Sequence, residues 1–480
     1  MQSISALLSG RDRTTWLLVL TALGVFFAAD DQTSVVAILP DMVSDVGLAQ
    51  DEFYRAAWIV NGYILGYVVA MPLMGRIADN YGHARIFAAA LLLFCAASAW
   101  VALAQGLTMV TIARGVQAIG GGGVVPVSMA IVTANASTSR RVLGLGAIAA
   151  ASEAGGLLGP LWGGGIAELV GWRGVFWINL PLCLPIAFAV LQIGRRLPVT
   201  PLRSLDLPGA ALIGGSLVCL TVALTEDPIE QRATIVTLLL YAGAAALFAA
   251  FLLREARAVS PLVELAIFRS RRLSAAFLAN GLTGGTLIVA MVGVPLFTNV
   301  LLGGDALEGG LNLMRLTVAL PVGALAGGCL AGRFGLSAGA GAGLVLAGIG
   351  FLGMAGWSED PSFIELTLPL LVAGLGFGLV IAPINAAVME EAAEDQRATV
   401  ASLLTVVRLV GALVGVALLT TRGLGSFYSQ AGLIPLDDPE FESQLRTLQV
   451  DSFQDTFIVT AAVCFATLLP VLLLGRRGDE

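Results

Sequence analysis

The chain has 480 residues, 57% of them hydrophobic and 12% charged, with a formal net charge of −7. Soluble domains run at about 45–50% apolar and about 25% charged. This balance excludes a water-soluble enzyme, a nucleic-acid binder and a disordered scaffold, and it reads as an all-α polytopic membrane protein.

Residue usage narrows the chemistry. All 26 basic residues are Arg, so a phosphate-binding loop built on Lys is excluded. His83 is the single histidine, which excludes three-histidine metal sites and Ser-His-Asp hydrolases. The five cysteines, Cys95, Cys183, Cys219, Cys329 and Cys464, each lie in an apolar stretch and none forms a CxxC pair. They read as small buried hydrophobes. No metal and no cofactor is expected.

In chain order, Met1–Thr14 is short and polar, and the apolar run Thr15–Leu39 is too long for a signal h-region. It reads as the first of fourteen spans. The approximate limits are 15–39, 54–74, 86–104, 108–133, 142–168, 174–193, 208–225, 233–253, 273–301, 311–331, 336–356, 364–388, 398–421 and 455–474. With the N-terminus inside, the outer side keeps Arg55, Arg173, Arg232, Arg422 and Arg446, with Arg315 near a helix end; the other Arg outside the spans fall inside. That bias places both termini in the cytoplasm. The one long outer segment is Gly423–Gln454. Its part Asp437–Phe453 reads either as a solvated loop or as a short helix with Phe441, Leu445 and Leu448 on one face.

The chain repeats itself. Gly75–Gly82 follows span 2 and Gly328–Gly335 follows span 10, 253 residues later. Pro126 and Pro383 are 257 apart in spans 4 and 12, and Arg141 and Arg397, 256 apart, open spans 5 and 13. The expected organisation is a six-helix bundle over 1–196, two inserted helices over 197–257, and a second six-helix bundle over 258–480 carrying the extension at 423–454. Parallel six-helix repeats about a pseudo-two-fold axis are a transporter architecture.

Ionisable groups inside spans are costly and are functional candidates by default. At 1.5 Å per residue, Asp31 lies roughly 24 Å into span 1 and Arg114 roughly 10 Å into span 4, entered from outside. The depths match, so an ion pair is expected. Asp30 is adjacent and faces about 100° away, as a second polar group near the outer rim. Glu153 and Arg408, 255 residues apart, occupy equivalent positions in the two repeats. They lie about 16 and 15 Å into spans 5 and 13 and are expected to face each other near the axis, as a pair whose separation would change proton affinity. Gly120–Gly123 and Gly155–Gly165 are small-residue runs that let membrane helices approach closely. Pro126, Pro160 and Pro383 locally open the helical ladder.

Five motifs carry a resemblance. They are Gly75–Arg85, with Asn80, His83 and Ala84 where basic residues are usual; Arg114–Gly120; Gly155–Gly165, centred on Gly159-Pro160; Asp31–Pro40, with Val36 in place of an asparagine; and Trp172-Arg173 with Phe176–Asn179. Together they resemble the major facilitator superfamily and, within it, the 14-span drug:proton antiporters. Trp58–Gly75 and Gly374–Pro383, with Glu153 and Arg408, look closest to mycobacterial exporters of lipids and drugs that work with a periplasmic lipoprotein. The resemblance implies multidrug or lipid efflux by proton antiport, with Asp31 and Glu153 as coupling carboxylates and Arg114 and Arg408 as their charge partners. It implies a cytoplasmic gate at Gly75, Asp79, Gly82 and Arg85, and an antiporter motif at Gly155, Gly159, Pro160 and Gly163. The implied partners are an amphipathic or lipid substrate, protons, the bilayer and an extracytoplasmic lipoprotein, with the protein a monomer. A facilitator or importer of the same superfamily, and a non-transporting membrane receptor or scaffold, are the alternatives.

Overall fold

The structure, a computed structural model, describes residues 10–48, 55–135, 138–194, 206–225, 234–258, 261–263, 265–391, 397–420 and 440–475, with 427, 430, 431 and 434. The regular elements are helices: α1 (Gly10–Asp45), α2 (Ala57–Tyr81), α3 (His83–Ala102), α4 (Leu107–Asn135), α5 (Thr138–Val170), α6 (Trp172–Trp177), α7 (Asn179–Gly194), α8 (Leu207–Leu224), α9 (Thr234–Glu255), α10 (Arg271–Val300), α11 (Ala306–Phe334), α12 (Leu336–Met354), α13 (Phe363–Glu391), α14 (Arg397–Leu418), α15 (Phe441–Ala466) and α16 (Leu468–Leu472). Among the described residues, eleven helices are long and apolar enough to cross a membrane, and Ala57–Met71 and Leu403–Leu418 are shorter apolar helices. The protein is therefore an all-α, multi-pass membrane protein.

The helices outrun the apolar stretches that mark them, because hydropathy registers the lipid-facing length while hydrogen bonding continues past it. The helix of span 2 runs on to Tyr81, so Asp79 lies in its last turn, and the link to α3 shrinks to Gly82. Gly82 has φ 98°, and Gly335, 253 residues later between α11 and α12, has φ 95°. Only glycine adopts that conformation cheaply, which makes these two sharp reversals possible. Span 6 is broken at Ile178 into α6 and α7. The segment expected as a loop or short helix before span 14 is, from Phe441 onward, the beginning of α15 itself, with Phe441, Leu445 and Leu448 half-buried. Residues 435–439 lie outside the described residues.

The chain divides into two compact units: 1–47, 58–218 and 244–262 in the first, and 48–57, 219–243 and 263–480 in the second. In the first unit α1 packs along α5, α3 along α4, and α7 against α3 and α1. In the second, α10 packs along α14, α13 lies against α11 and α12, and α15 lies against α12 and α10.

The α1–α5 seam rests on three glycines four residues apart, which share one helix face. A Cβ at Gly155 would strike the Phe26 carbonyl oxygen, one at Gly159 would strike Thr33 Oγ1 and the Asp30 carbonyl, and one at Gly163 would lie 2.5 Å from the Ser34 carbonyl. The α10–α14 seam repeats the design. Gly411 and Gly415, each 256 residues beyond Gly155 and Gly159, press against the backbone of Gly281 and Gly285. Without a hydrophobic drive between helices in lipid, such close packing carries the association.

Candidate functional site

The first unit is built around a buried charge. Asp31 of α1 and Arg114 of α4 are each 1% exposed, and Arg114 Nη1 donates to Asp31 Oδ2 at 2.6 Å. The ion pair expected from their depths is present. Its neighbours complete a network. Arg114 Nη1 also donates to Gln117 Oε1 at 2.6 Å, and Gln117 Nε2 donates to Asp31 Oδ1 at 2.9 Å and to Ser98 Oγ of α3 at 2.7 Å. Asn179 Nδ2 donates to Asp31 Oδ1 at 2.7 Å and lies 3.3 Å from Ser98 Oγ. Asp31 thus accepts from three donors on α4 and α7, which is what a buried carboxylate requires.

Local structure places each member. Arg114 and Gln117 are three apart on α4 and share a face. Asn179 is the first residue of α7, so the break at Ile178 aims its amide inward. Tyr63 of α2 lays its ring face 4.1 Å from the Arg114 guanidinium carbon and donates its hydroxyl to the Ala28 carbonyl at 3.3 Å. Phe176 lies 5.6 Å from the same carbon on another side. A guanidinium flanked by rings, its charge met by a carboxylate, is stable without water. Arg114 Nε has no hydrogen-bond partner among the described residues.

Asp30 is also buried, at 3% exposure, but is served differently. Ser34 Oγ lies 3.2 Å from its Oδ2, while Oδ1 has no hydrogen-bond partner among the described residues. Its backbone lines the α1–α5 seam, against Gly155 and Gly159.

The other expected residues sit elsewhere. Glu153 is exposed on α5, two residues before the seam begins, in the first unit; Arg408 is half-buried on α14, in the second, where its stem covers Gly284. Gly155, Gly159, Pro160 and Gly163 are all buried. Of the gate positions, Gly75 is half-buried in α2, Gly82 is the buried turn, and Arg85 is exposed on α3, its backbone N–H donating to the Gly82 carbonyl at 3.1 Å. The Asp79 side chain lies outside the described residues. Gln117 and Asn179 belong to motifs legible in the sequence, yet only the fold gives them the role of Asp31 ligands. Ser98 carries no sequence signal at all: it is one small polar residue in an Ala-rich helix.

Residues 21–416 match the sequence profile described as the Major Facilitator Superfamily. Similar proteins include a triacylglyceride transporter of Mycolicibacterium hassiacum, 33% identical over 95% of this chain and 91% of its own length. One from Mycobacteroides abscessus is 34% identical over 87% of this chain and 84% of its own length, and one from Mycobacterium tuberculosis 33% identical over 96% and 95%. Among solved structures, a bacterial homologue of the human lysosomal transporter Spinster, in an inward-facing and occupied conformation, aligns with a TM-score of 0.70 at 14% identity, over 96% of both chains. A D-xylose–proton symporter aligns with a TM-score of 0.64 at 14% identity, over 94% of this chain and 97% of its own. The fold is the one shared by these transporters, and the relatives are named as transporters, not enzymes. With its profile match across most of the sequence, the chain belongs to the Major Facilitator Superfamily.

Proposed function

We propose that this protein is a proton-coupled secondary exporter of lipid-like, amphipathic cargo that works by alternating access. One observation carries the reading: a charge network buried around Asp31 and Arg114 in a chain otherwise sparing with charge. Buried ions without a task are expensive in a membrane protein. The lipid cargo rests on relatives of about one-third identity that are named triacylglyceride transporters. The same efflux route would serve lipophilic drugs.

In this reading the chain crosses a bacterial inner membrane fourteen times with both termini in the cytoplasm. Residues 1–196 and 258–480 form two six-helix repeats about a pseudo-two-fold axis, and 197–257 are inserted. The matched glycine seams, 256 residues apart, support the repeat. Asp31 and Glu153 are the coupling carboxylates, with Arg114 and Arg408 as charge partners. Gly75, Asp79, Gly82 and Arg85 form the cytoplasmic gate. The start of α15 and the segment before it hand acyl chains to an extracytoplasmic lipoprotein, and the exporter itself is a monomer.

The test is transport in proteoliposomes with an imposed pH gradient, using a fluorescent triacylglyceride and a lipophilic cationic dye. Wild type should move cargo against its gradient when protons flow the other way. Asp31→Asn and Glu153→Gln should insert and purify as wild type does yet lose driven export. Full driven export by both single variants would sink the coupling assignment, and transport of a hexose in preference to lipid and dye would sink the cargo.

A further inference from the structure

We propose that Asp30, and not only its neighbour Asp31, is a proton-carrying group of this core, held as a neutral carboxylic acid when α1 and α5 are packed together. The inference rests on the proton-coupled reading above and assigns the proton to a particular atom.

Two adjacent carboxyl groups, Asp30 and Asp31, are buried in the first unit beside one buried guanidinium, Arg114. Arg114 is committed to Asp31 at 2.6 Å, and Gln117 and Asn179 add two further donors to the same carboxylate. Successive residues of a helix point about 100° apart, so Asp30 cannot share that set. It has one donor, Ser34, and that hydroxyl also bonds the Asp30 main-chain carbonyl at 2.8 Å. Its Oδ1 has no hydrogen-bond partner among the described residues.

The elements around Asp30 offer nothing better. On α1 itself the nearest charge is Asp31, of like sign. From α5 come the backbones of Gly155 and Gly159, which present no donor side chain. From α7 no side chain is seen to donate to Asp30: the Asn179 amide goes to Asp31, and the Cys183 thiol is buried. From α2 the Tyr63 hydroxyl is spent on the Ala28 carbonyl; from α4 the Arg114 Nη1 goes to Asp31 and Gln117, and its Nε, though buried and without a hydrogen-bond partner among the described residues, makes no hydrogen bond to Asp30. An anion so placed would be buried and uncompensated, which costs far more than a neutral acid.

A proton on Oδ1 resolves the imbalance. The O–H bond at Asp30 forms as an O–H bond of hydronium breaks, and the reverse step returns the proton to water on the other side. No other bond changes. Release of the proton leaves a carboxylate that needs water or a cation, so it requires the glycine seam to loosen or Arg114 to turn away from Asp31. Proton occupancy and the packing of α1 on α5 become one equilibrium, in which each state excludes the other's partner. Asp31 opens the span 1 motif, whereas Asp30 precedes it.

Infrared difference spectroscopy on purified protein, with deuterium exchange, reads the carbonyl stretch of a protonated carboxyl group. Wild type should show such a band and Asp30→Asn should lack it. In the proteoliposome assay with the fluorescent triacylglyceride, Asp30→Asn should lose gradient-driven export to background. Asp30→Glu separates chemistry from packing. It keeps the carboxyl but adds bulk, so it should retain both the band and driven export, whereas a purely packing role would make Asn the better substitute. Driven export by Asp30→Asn, a band that survives in it, or Asp30→Glu no better than Asp30→Asn would each overturn the proposal. Wild-type transport indifferent to the pH gradient would instead sink the proton-coupled reading, and the infrared band would still decide the state of Asp30.

Discussion

The two units share a scaffold and differ at its centre. Both join their first and fifth helices through glycines 256 residues apart, and both reverse between their second and third helices on a single glycine of positive φ. In the first unit the helices close around Asp31, Arg114, Gln117, Ser98 and Asn179. In the second, α10, α12, α13 and α15 close around Phe297, Phe351, Trp357, Phe377, Phe453 and Phe457, with Phe297 and Trp357 centred 4.8 Å apart. The first unit spends its interior on a charge network whose energy depends on hydrogen-bond geometry. The other centres it on ring packing that depends on shape.

The largest effects should come from the two centres. Arg114→Ala strands the Asp31 carboxylate, and removing one partner of a buried pair costs about 3–5 kcal/mol. Phe457→Ala opens a void in the aromatic cluster, where such truncations cost about 3–5 kcal/mol. The losses are similar but their rescue differs. Combining Arg114→Gln with Asp31→Asn should recover much of the stability lost by Arg114→Ala, measured as the thermal midpoint in detergent. No second substitution of like kind exists for Phe457. Failure of that rescue would mean that the first centre is held by packing as the second is.

The glycine seams sharpen what is common. Gly159→Ala drives a methyl into Thr33 Oγ1 and the Asp30 carbonyl, and Gly415→Ala drives one into the Gly285 backbone. Overpacking of this kind costs about 1–3 kcal/mol. The two variants should lower the thermal midpoint by comparable amounts. Because Asp30 lines only the first seam, Gly159→Ala alone should also disturb proton-driven export. Equal export loss in both would show that the seams matter through packing only.

The all-helical, multi-pass scaffold was legible in the sequence because a membrane imposes it: apolar length marks the spans. The Asp31–Arg114 pair was legible because two opposite charges at equal depth have few other places to go. The rest of the network was not. Gln117 and Asn179 are common polar residues whose meaning depends on the α4 face and on the break at Ile178. Ser98 is visible only once α3 lies against α4. The length of α15 escaped because Phe441–Gln454 is polar enough to end a hydropathy window while remaining helical. Asp30 read as a rim residue because a helical wheel gives direction but not the approach of α5.

The smallest expected effect concerns the first unit's second polar cluster, at the start of α8 and the end of α9. Asp206 caps α8: its Oδ1 accepts from the Gly209 N–H at 2.9 Å and from Arg254 Nε at 2.7 Å. Burial pushes its carboxyl up, but the Gly209 N–H, Arg254 and the charge of Arg76 outweigh that and hold it below the usual carboxylate range. A carboxyl group whose pKa is lower in the folded state stabilises the fold above its unfolded value of about 3.9, and that contribution disappears as pH falls through the folded value. Arg254 is 42% exposed, so water screens the pair and its worth is at most about 1 kcal/mol. Asp206→Asn keeps a capping side chain and removes only the charge. Its thermal midpoint should lie slightly below wild type near neutral pH, and the difference should begin to shrink only as the pH falls below about 4, closing as it passes the lower folded value. The second unit's described ion pairs, Arg272 with Glu390 at 3.2 Å and with Glu391 at 3.6 Å, lie at helix ends, the arginine half-buried and both glutamates exposed. A neutral-pH difference for Asp206→Asn no larger than that of Glu390→Gln would confine the electrical asymmetry of the two units to the Asp31 core, whereas a larger one would extend it to the contact of α8 with α9.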